Sequence, residues 1–295
     1  MNTHLSSKAA SSLCLPRPYG RRHNLFLGIA VLTLFVLPSE VTQAQMIVAH
    51  RGASEDAPEN TMAAFREAWR QDADGIEGDF YFTSDKQVVC IHDKDTKRTG
   101  GKNLKVAKST LTQLRTLEFG SWKHSNFSGE PLPTLQDILK ILPEDKTFVI
   151  ELKTGPEIVP LVKEILREAE TPLEQILIIS FDDQTIAKSK ELLPAARAHW
   201  LTGYKTDDAT GVTTPSLAEI ATTLKRCNAD GLGTQANREV VTKEFIDELR
   251  QGGMEEFHVW TVDKLDDAKY FQSLGACGIT TNRPGAIKEG LGSGK

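Results

Sequence analysis

Residues 147–180 read TFVIELKTGPEIVPLVKEILREAETPLEQILIIS and contain one complete example of the pattern that dominates the chain. Two short apolar runs, Phe148–Ile150 and Ile176–Ile179, lie near its ends. Between them, apolar residues recur at helical spacing within Ile158–Ala169. Continuous apolar runs of this length are typical of strands in a parallel sheet that is covered on both faces. The stretch therefore predicts a strand, an amphipathic helix and a second strand parallel to the first.

The same alternation of strand and helix extends from Met46 to Thr281. Eight βα units in about 250 residues correspond to one closed barrel, so we predict an α/β fold of the (β/α)8 TIM-barrel type. An open, doubly wound sheet is the alternative, but no GxGxxG sequence opens the first helix. The predicted strands are Ile47–Ala49, Gly75–Asp79, Thr147–Glu151, Ile176–Ser180, Ala198–Leu201, Gly231–Thr234, Phe257–Thr261 and Gly278–Thr281.

One segment, residues 80–146, interrupts the alternation after the second strand. It begins with a predicted hairpin, in which Tyr81–Phe82 and Val88–Ile91 flank a turn, and it continues with polar, glycine-containing sequence. The segment has too few apolar residues for a domain of its own, so we predict a small insertion. In a barrel, such an insertion lies over the C-terminal ends of the strands, where barrel enzymes carry their active sites.

Composition excludes several classes of protein. Of the 295 residues, 39% are hydrophobic and 25% are charged, which is typical of globular proteins and not of disordered or multi-span membrane proteins. The net charge is -5 and no basic run follows residue 44, so nucleic acid is not an expected partner. The four cysteines include no CxxC pair, and we expect neither a thiolate zinc site nor a structural disulfide.

Residues 1–44 have the order of features that marks a secretory signal peptide. Three arginines precede the apolar run Leu25–Leu37, and small residues end the segment at Ala44. The run is short for a membrane span, so we expect cleavage after Ala44, with an uncleaved N-terminal anchor as the alternative. Residues 45–295 would then be an exported domain, periplasmic or extracellular, with no stable membrane insertion.

Acidic side chains occur where the early predicted strands end. Glu77 and Asp79 are two residues apart and therefore point to one face of the second strand, and Glu151 ends the third. Carboxylates that face a barrel interior need a proton or a compensating cation. Three of them carry more negative charge than Arg51 and Lys153 can neutralise around an anionic ligand. A divalent cation with oxygen ligands, Mg²⁺ or Ca²⁺, is the simplest explanation.

Two histidines and two cationic side chains occur at the same strand ends. His50 and Arg51 follow the first strand, His92 ends the inserted hairpin, and Lys153 follows the third strand. Two cationic side chains beside a metal form a phosphate site. Two histidines that flank a phosphate can supply one general base and one general acid. The sequence does not assign these two roles, and it leaves open whether water or a substrate hydroxyl is the nucleophile.

The ordered set of motifs resembles the glycerophosphodiester phosphodiesterase family. The resemblance covers essentially all of residues 45–295. Each motif alone is weak, whereas the ordered set is highly specific. The motifs are His50-Arg51-Gly52, Pro58-Glu59-Asn60-Thr61, Glu77-x-Asp79, His92-Asp93, Glu151-Leu152-Lys153, Trp260-Thr261-Val262 and Gly278-Ile279-Thr280-Thr281-Asn282-Arg283-Pro284.

The resemblance implies a TIM barrel that hydrolyses glycerophosphodiesters to sn-glycerol 3-phosphate and an alcohol with one divalent cation, Mg²⁺ or Ca²⁺. It also implies a role for each matching residue. Trp260 is either a substrate contact or a core aromatic residue, and Glu59 and Asn60 could merely cap and orient the first helix. The implied catalytic residues are His50 and His92, the metal ligands are Glu77, Asp79 and Glu151, and the substrate contacts are Arg51, Lys153 and Trp260.

The chain departs from the family pattern at the hairpin turn, which lacks the usual glycine and reads Ser84-Asp85-Lys86-Gln87, and at Asn282. Asn282 stands where the family more usually has an aspartate, and we expect it to affect local structure but not the chemistry. A lysophospholipase D-like enzyme would act on lysolipids with the same machinery. A glycosidase would use Glu77 and Glu151 as its carboxylate pair, but it would leave His50 and His92 without roles. A non-catalytic module would only bind phosphorylated headgroups.

Overall fold

A computed structural model of the chain describes residues 45–292, and the predicted signal peptide lies outside these residues. Eight parallel strands form its centre, and each overlaps one of the predicted strands; the seventh ends at Trp260 and not at Thr261. The second is longer than expected and continues to Phe82. The eight strands are β1 (Met46–Ala49), β2 (Gly75–Phe82), β4 (Thr147–Leu152), β5 (Ile176–Ser180), β6 (Arg197–Thr202), β9 (Gly231–Gln235), β10 (Glu256–Trp260) and β11 (Gly278–Thr281).

The parallel sheet closes on itself. Each strand pairs with the next along the chain, and β1 pairs with both β2 and β11. The register places Val48 beside Gly75 in β2 and beside Thr280 in β11. The prediction of a closed (β/α)8 barrel is confirmed. Two further pairings are antiparallel: β3 (Val88–Cys90) with β2, and β7 (Lys205–Thr206) with β8 (Thr213–Thr214).

Helices follow the barrel strands and bury one face each against the sheet. In the first, Thr61 is the N-cap residue and accepts a hydrogen bond from the Ala64 amide, while Phe65 and Ala68 are fully buried. Pro284–Gly292 is a helix that the sequence pattern did not predict. The α-helices are α1 (Met62–Arg70), α2 (Leu111–Leu114), α3 (Leu135–Leu139), α4 (Val159–Glu168), α5 (Asp183–Leu192), α6 (Leu217–Cys227), α7 (Lys243–Gln251), α8 (Leu265–Ser273) and α9 (Pro284–Gly292). Between residues 45 and 292, none of the helices has both the length and the apolar character needed to cross a membrane.

The hydrophobic core has an outer and an inner part. Most buried apolar residues lie between the strands and the surrounding helices. A smaller cluster fills the inside of the barrel, with Val48, Val149, Leu177, Ile179 and Leu201 as its buried members. These side chains fill the centre of the barrel, so the polar residues at the strand ends lie directly above a packed apolar layer.

The predicted hairpin is present between β2 and β4, because Phe82 pairs with Val88 and Phe80 with Cys90. The chain that follows has a small apolar cluster of its own, which includes Leu114, Phe119 and Leu132. It ends at α3, whose Leu135 and Ile138 belong to the outer core. The insertion also contacts the loop between β1 and α1, where Lys123 Nζ donates to the Ser54 carbonyl at 2.8 Å.

Candidate active site

The loop after β1 contains two residues with positive φ, and one of its backbone amides donates a hydrogen bond to β2. Arg51 has a φ of 57° and Gly52 a φ of 79°. A Cβ on Gly52 would lie 2.5 Å from the Ala64 carbonyl carbon, so only glycine fits this approach to α1. The left-handed conformation costs about 1–2 kcal/mol for a residue such as Arg51. The hydrogen bond from the Arg51 amide to Glu77 Oε2, at 2.9 Å, helps to hold it.

Three carboxylates converge at the ends of β2 and β4. The strand register pairs Asp79 with Glu151, and Glu77 lies one inward-facing position earlier on β2. One oxygen from each of the three residues lies within 4.8 Å of the other two. Glu77 is 2% exposed and Asp79 1% exposed. Glu77 Oε1 is buried and accepts no hydrogen bond from any described residue.

Arg51 and Lys153 surround the carboxylates. Arg51 Nε lies 3.2 Å from Asp79 Oδ2, and Arg51 Nη1 donates to Glu59 Oε1 at 2.9 Å. Lys153 Nζ donates to Glu151 Oε1 at 2.7 Å and lies 3.3 Å from Asp79 Oδ1. Both cations therefore share Asp79, and neither makes an ion pair with Glu77.

The electrostatics of the three carboxyl groups differ accordingly. Burial acts to raise the pKa of Asp79, but Arg51 and Lys153 outweigh it and lower that pKa to about 2. Burial, followed by the charge of Asp79, raises the pKa of Glu151 to about 7. The same two causes raise the pKa of Glu77 well above its ordinary value. When all three groups are ionised, the cluster holds more negative charge than Arg51 and Lys153 balance, and an additional cation fits it.

Asn60 locks Asp79 in place from the first loop. Its Nδ2 donates to Asp79 Oδ2 at 2.8 Å, and its Oδ1 accepts from the Asp79 amide at 3.2 Å and from Cys90 Sγ at 3.1 Å. Asn60 has a φ of 58° and is 4% exposed. Thr61 caps α1, so Asn60 serves the carboxylate cluster and not the helix.

His50 contacts the strand that closes the barrel. Its Nδ1 lies 2.7 Å from Asn282 Oδ1, so Asn282 contacts a candidate catalytic residue, contrary to the expectation that it affects only local structure. The sequence did not predict this contact, because the two residues are far apart in the chain and β1 and β11 pair only when the barrel closes. Burial, and then the charge of Arg51, lowers the pKa of His50 to about 4. The imidazole is therefore neutral near pH 7.

His92 has a different partner, a carboxylate. Its Nδ1 lies 2.8 Å from Asp93 Oδ1, and Arg98 Nε donates to Asp93 Oδ2 at 2.8 Å. Arg98 also donates through both terminal nitrogens to Glu59, at 2.7 and 2.8 Å. Glu59 also binds Arg51. It therefore connects the insertion, which carries His92, to the loop that carries His50.

A cavity of about 170 Å³ lies between these groups. One side is polar and ionisable, and the other is formed by apolar and aromatic side chains. Phe181 is 50% exposed and packs edge-to-face on Trp260, with the ring centroids 5.4 Å apart. Trp260 Nε1 is buried without a hydrogen-bond partner among residues 45–292. The lining residues are His50, Arg51, Glu77, His92, Glu151, Lys153, Ile179, Phe181, Leu201, His258, Trp260, Thr261 and Thr280.

The structure brings all of the sequence-predicted site residues together. Seven of them line the cavity, and the eighth, Asp79, lies beneath it in the carboxylate cluster. Sequence reasoning missed Phe181, His258 and the contact made by Asn282. Phe181 directly follows the apolar run of β5, and an aromatic residue at that strand end was the available signal. His258 gave no such signal, because it lies inside a predicted strand.

The comparisons with known proteins agree with one another. The sequence model described as the Glycerophosphoryl diester phosphodiesterase family matches residues 50–286. The YhdW protein of Bacillus subtilis is 32% identical over 249 residues, which cover 83% of this chain and 97% of that protein. The glycerophosphodiester phosphodiesterase of Caldanaerobacter subterraneus subsp. tengcongensis is 31% identical over 244 residues, covering 81% of this chain and 94% of the relative.

A solved structure shows the same fold. It is that of an Oleispira antarctica phosphodiesterase in complex with the product sn-glycerol-3-phosphate. The TM-score is 0.73 with 22% identity, and the match covers 84% of this chain and 96% of that one. At this level of identity the likeness concerns the fold, and the roles of individual side chains have to be argued from the site itself.

Proposed function

This chain belongs to the glycerophosphoryl diester phosphodiesterase family and is a glycerophosphodiester phosphodiesterase, and we propose that it works with one divalent cation and a pair of histidines. Its substrates would be glycerophosphodiesters, and its products sn-glycerol 3-phosphate and an alcohol. The observation that carries the proposal is the convergence of three carboxylates within 4.8 Å beside Arg51 and Lys153.

The carboxylate cluster fits a hard divalent cation, Mg²⁺ or Ca²⁺. Glu77, Asp79 and Glu151 would hold it through oxygen atoms, the ligand type that both ions prefer. The unpartnered, buried Glu77 Oε1 supports this assignment, since a buried carboxylate oxygen without a partner is costly. Such a cation supplies charge stabilisation to the oxygens of a bound phosphodiester.

Arg51 and Lys153 would bind the phosphate beside the cation. Both side chains line the cavity and are held by carboxylates, so their charges are already in place before substrate arrives. Donors fixed in this way stabilise the charge that develops on the non-bridging oxygens without a reorganisation cost at that moment. The aromatic pair Phe181 and Trp260 would receive the organic part of the substrate on the opposite wall.

The two histidines would act on opposite sides of the phosphorus, one as a proton acceptor and the other as a proton donor. His50 is neutral and has a neutral partner, which suits a general base that takes the proton of water or of the glycerol 2-hydroxyl. His92 lines the same cavity, and its Nδ1 lies 2.8 Å from Asp93 Oδ1, a contact that can orient the ring as a general acid toward the leaving oxygen. Each contribution is typically worth about 10²–10⁴-fold in rate.

Product analysis tests the proposed reaction. The purified protein is incubated with a panel of glycerophosphodiesters and lysophospholipids, with chelator and after addition of Mg²⁺ or Ca²⁺. We expect sn-glycerol 3-phosphate from glycerophosphodiesters, lost with chelator and restored by the cation. Full activity in a demetallated sample would contradict the metal assignment, and exclusive action on lysolipids would favour the lysophospholipase D-like alternative.

Leaving-group dependence tests the roles of the histidines. His92→Ala should lose most activity on glycerophosphocholine but regain it on a diester with a p-nitrophenol leaving group, which needs little protonation. His50→Ala should lose activity on both. The comparison uses kcat/KM under conditions where bond cleavage limits the rate. A His92→Ala protein that binds glycerophosphocholine normally but no longer hydrolyses it also separates the enzyme from a pure binding module.

Export is a separate part of the proposal. It is supported only by the sequence of residues 1–44, with its apolar run and the small residues that end at Ala44. We expect the mature chain to begin near Gln45 in the periplasm or the medium. N-terminal sequencing of the protein from fractionated cells checks this, and an intact Met1 in the membrane fraction would support the anchor instead.

A further inference from the structure

The hydrogen bonds around Asn282 determine which way its amide points. Asp263 Oδ2 accepts from Asn282 Nδ2 at 2.6 Å, and Asp263 Oδ1 accepts from the Asn282 amide nitrogen at 2.8 Å. The Thr281 hydroxyl donates to the same Oδ1 at 3.0 Å. Since Nδ2 is taken by a carboxylate, Asn282 Oδ1 is the atom that faces His50, at 2.7 Å from Nδ1.

The strand pairing keeps these groups at one level of the barrel. Ala49 of β1 pairs with Thr281 of β11, and the His50 amide donates to the Thr281 carbonyl at 2.8 Å. His50 and Asn282 are therefore the first residues beyond two neighbouring strands. Their side chains meet because the strands are in register, and Asp263 approaches from the segment that follows β10.

We propose that Asp263 and Asn282 are positioning residues that fix His50 in the neutral tautomer with its proton on Nδ1, so that Nε2 is free to accept the proton of the nucleophile. The inference rests on the proposed function, since it presumes that His50 is the general base. It assigns a role in the reaction to two residues outside the cavity lining.

The chemistry of the amide explains why a neutral partner matters. An amide oxygen can only accept a hydrogen bond, so His50 Nδ1 must be the donor and Nε2 carries the lone pair. A carboxylate in the same place would also orient the ring, but it would stabilise the imidazolium and occupy the base with a proton. Asp263 supplies negative charge one residue further away, where it orients the amide and does not contact His50.

Exchanging the two side chains separates orientation from charge. Asn282→Ala removes the acceptor, and we expect kcat to fall about 10- to 100-fold, a part of what a general base contributes. KM and cation affinity should not change. The double variant Asp263→Asn, Asn282→Asp restores an acceptor for His50 with an amide behind it. Its kcat should recover at pH 8, while the acid limb of kcat/KM moves to higher pH by about one to two units.

The single variant Asn282→Asp and a neighbouring hydroxyl provide controls. The single variant places two carboxylates in contact, so it should be less active than the double variant. Ser54→Ala removes a hydroxyl that donates to Asn282 Oδ1 at 2.8 Å but does not touch His50, and it should behave as wild type. The charged groups that act on His50, namely Arg51, Asp79 and Glu59, are the same in all these proteins.

The outcomes distinguish this inference from the proposed function. If wild type is active, His50→Ala is inactive and Asn282→Ala keeps the wild-type kcat and acid limb, the positioning role is wrong. If the double variant folds but its acid limb stays in place, the role of the neutral partner is wrong. If the variants lose thermal stability and cation affinity together with activity, the contact is structural only. If His50→Ala remains fully active, the proposed general base fails instead.

Discussion

Glu77 has the least compensated side chain of the candidate site. Its neighbours Asp79 and Glu151 have ion pairs with Arg51 and Lys153, whereas Glu77 Oε2 accepts only a backbone amide and Oε1 accepts nothing from the described residues. Burial and two like charges raise its pKa. Without a cation this carboxyl group destabilises the fold when ionised. With a cation, the same carboxylate becomes a ligand.

Replacing Glu77 with glutamine should separate these two effects. The Glu77→Gln protein should bind Mg²⁺ or Ca²⁺ more weakly by at least the ~10–100-fold that loss of an outer-shell partner costs. Its cation-free form should be no less stable than wild type at pH 7.5, because a repelling charge is gone. Thermal unfolding with chelator and with added cation measures both quantities. A cation at 100 times its Kd stabilises a protein by about 2.7 kcal/mol, and the variant should lose most of this gain.

An exposed glutamate supplies the control for this measurement. Glu174 lies on the surface in the short helical turn before β5, and it is not part of the carboxylate cluster. Glu174→Gln should keep the full thermal shift on cation addition. If Glu77→Gln keeps it as well, Glu77 is not a ligand and the carboxylate cluster needs another explanation.

Two glycines of β9 make room for a pair of histidines inside the barrel. Gly231 is in register with His199 of β6, and Gly233 with His258 of β10. A Cβ on Gly231 would lie 2.8 Å from His199 Nε2, and one on Gly233 would lie 2.5 Å from His258 Cε1 and 2.3 Å from Leu201 Cδ2. The strand can pass these rings only because it has no side chains there.

Gly233→Ala should therefore destabilise the barrel. The added methyl group overlaps side chains of two neighbouring strands, and overpacking of this kind costs about 1–3 kcal/mol. Chemical denaturation measures the free energy of unfolding. Gly292→Ala at the end of α9 is the control, since its Cβ would meet no atom of residues 45–292 within 4 Å. Equal stability of Gly233→Ala and wild type would show that His258 can move away at little cost.

The elements themselves were largely predictable from the sequence. Apolar runs such as Ile176–Ile179 need burial on both faces, and only strands of a covered parallel sheet provide it, so all eight barrel strands were identified. Helix α9 was missed because Pro284–Gly292 includes three glycines and has few apolar residues. The C-terminal end of β2 was predicted three residues too early, because its antiparallel pairing with β3 extends the strand to Phe82.

The candidate site was predictable in its residues but not in its contacts. Alternation along β2 places Glu77 and Asp79 on one face, and this follows from strand geometry alone. Whether they lie close to Glu151 depends on the register between β2 and β4, which the insertion separates in the chain. The contact between His50 and Asn282 depends on the pairing of the first strand with the last. Such pairings come from tertiary structure, and a single sequence does not encode them locally.

The barrel interior contains a chain of buried polar side chains that the proposed reaction does not use. His199 Nε2 lies 2.8 Å from Glu256 Oε1, and His199 Nδ1 lies 2.8 Å from His258 Nδ1, so the two Nδ1 atoms share one proton. His258 Nε2 is buried without a partner among the described residues. A second proton on His258 would be an unpaired donor next to another polar ring.

This arrangement makes the stability of the fold depend on pH. Burial, and then the charges of His199 and Arg197, lowers the pKa of His258 well below its ordinary value. The unfolded chain takes up a proton at this residue near pH 6.5, and the folded chain does not. The contribution of His258 is therefore complete above about pH 6.5 and is lost as the pH falls below it. The loss amounts to at most about 1.4 kcal/mol per pH unit.

The variant His258→Gln should remove this pH dependence. Groups that do not contact His258, including His50 and the carboxylate cluster, are common to both proteins and cancel in the difference. We expect wild type to be more stable than His258→Gln at pH 8 and this advantage to shrink between pH 6.5 and 5, measured by denaturation with chelator present throughout. Val259→Ala, a buried and non-titrating change on the same strand, should lose the same free energy at every pH. An advantage of wild type over His258→Gln that stays constant would mean that the folded barrel protonates His258 as readily as the unfolded chain does.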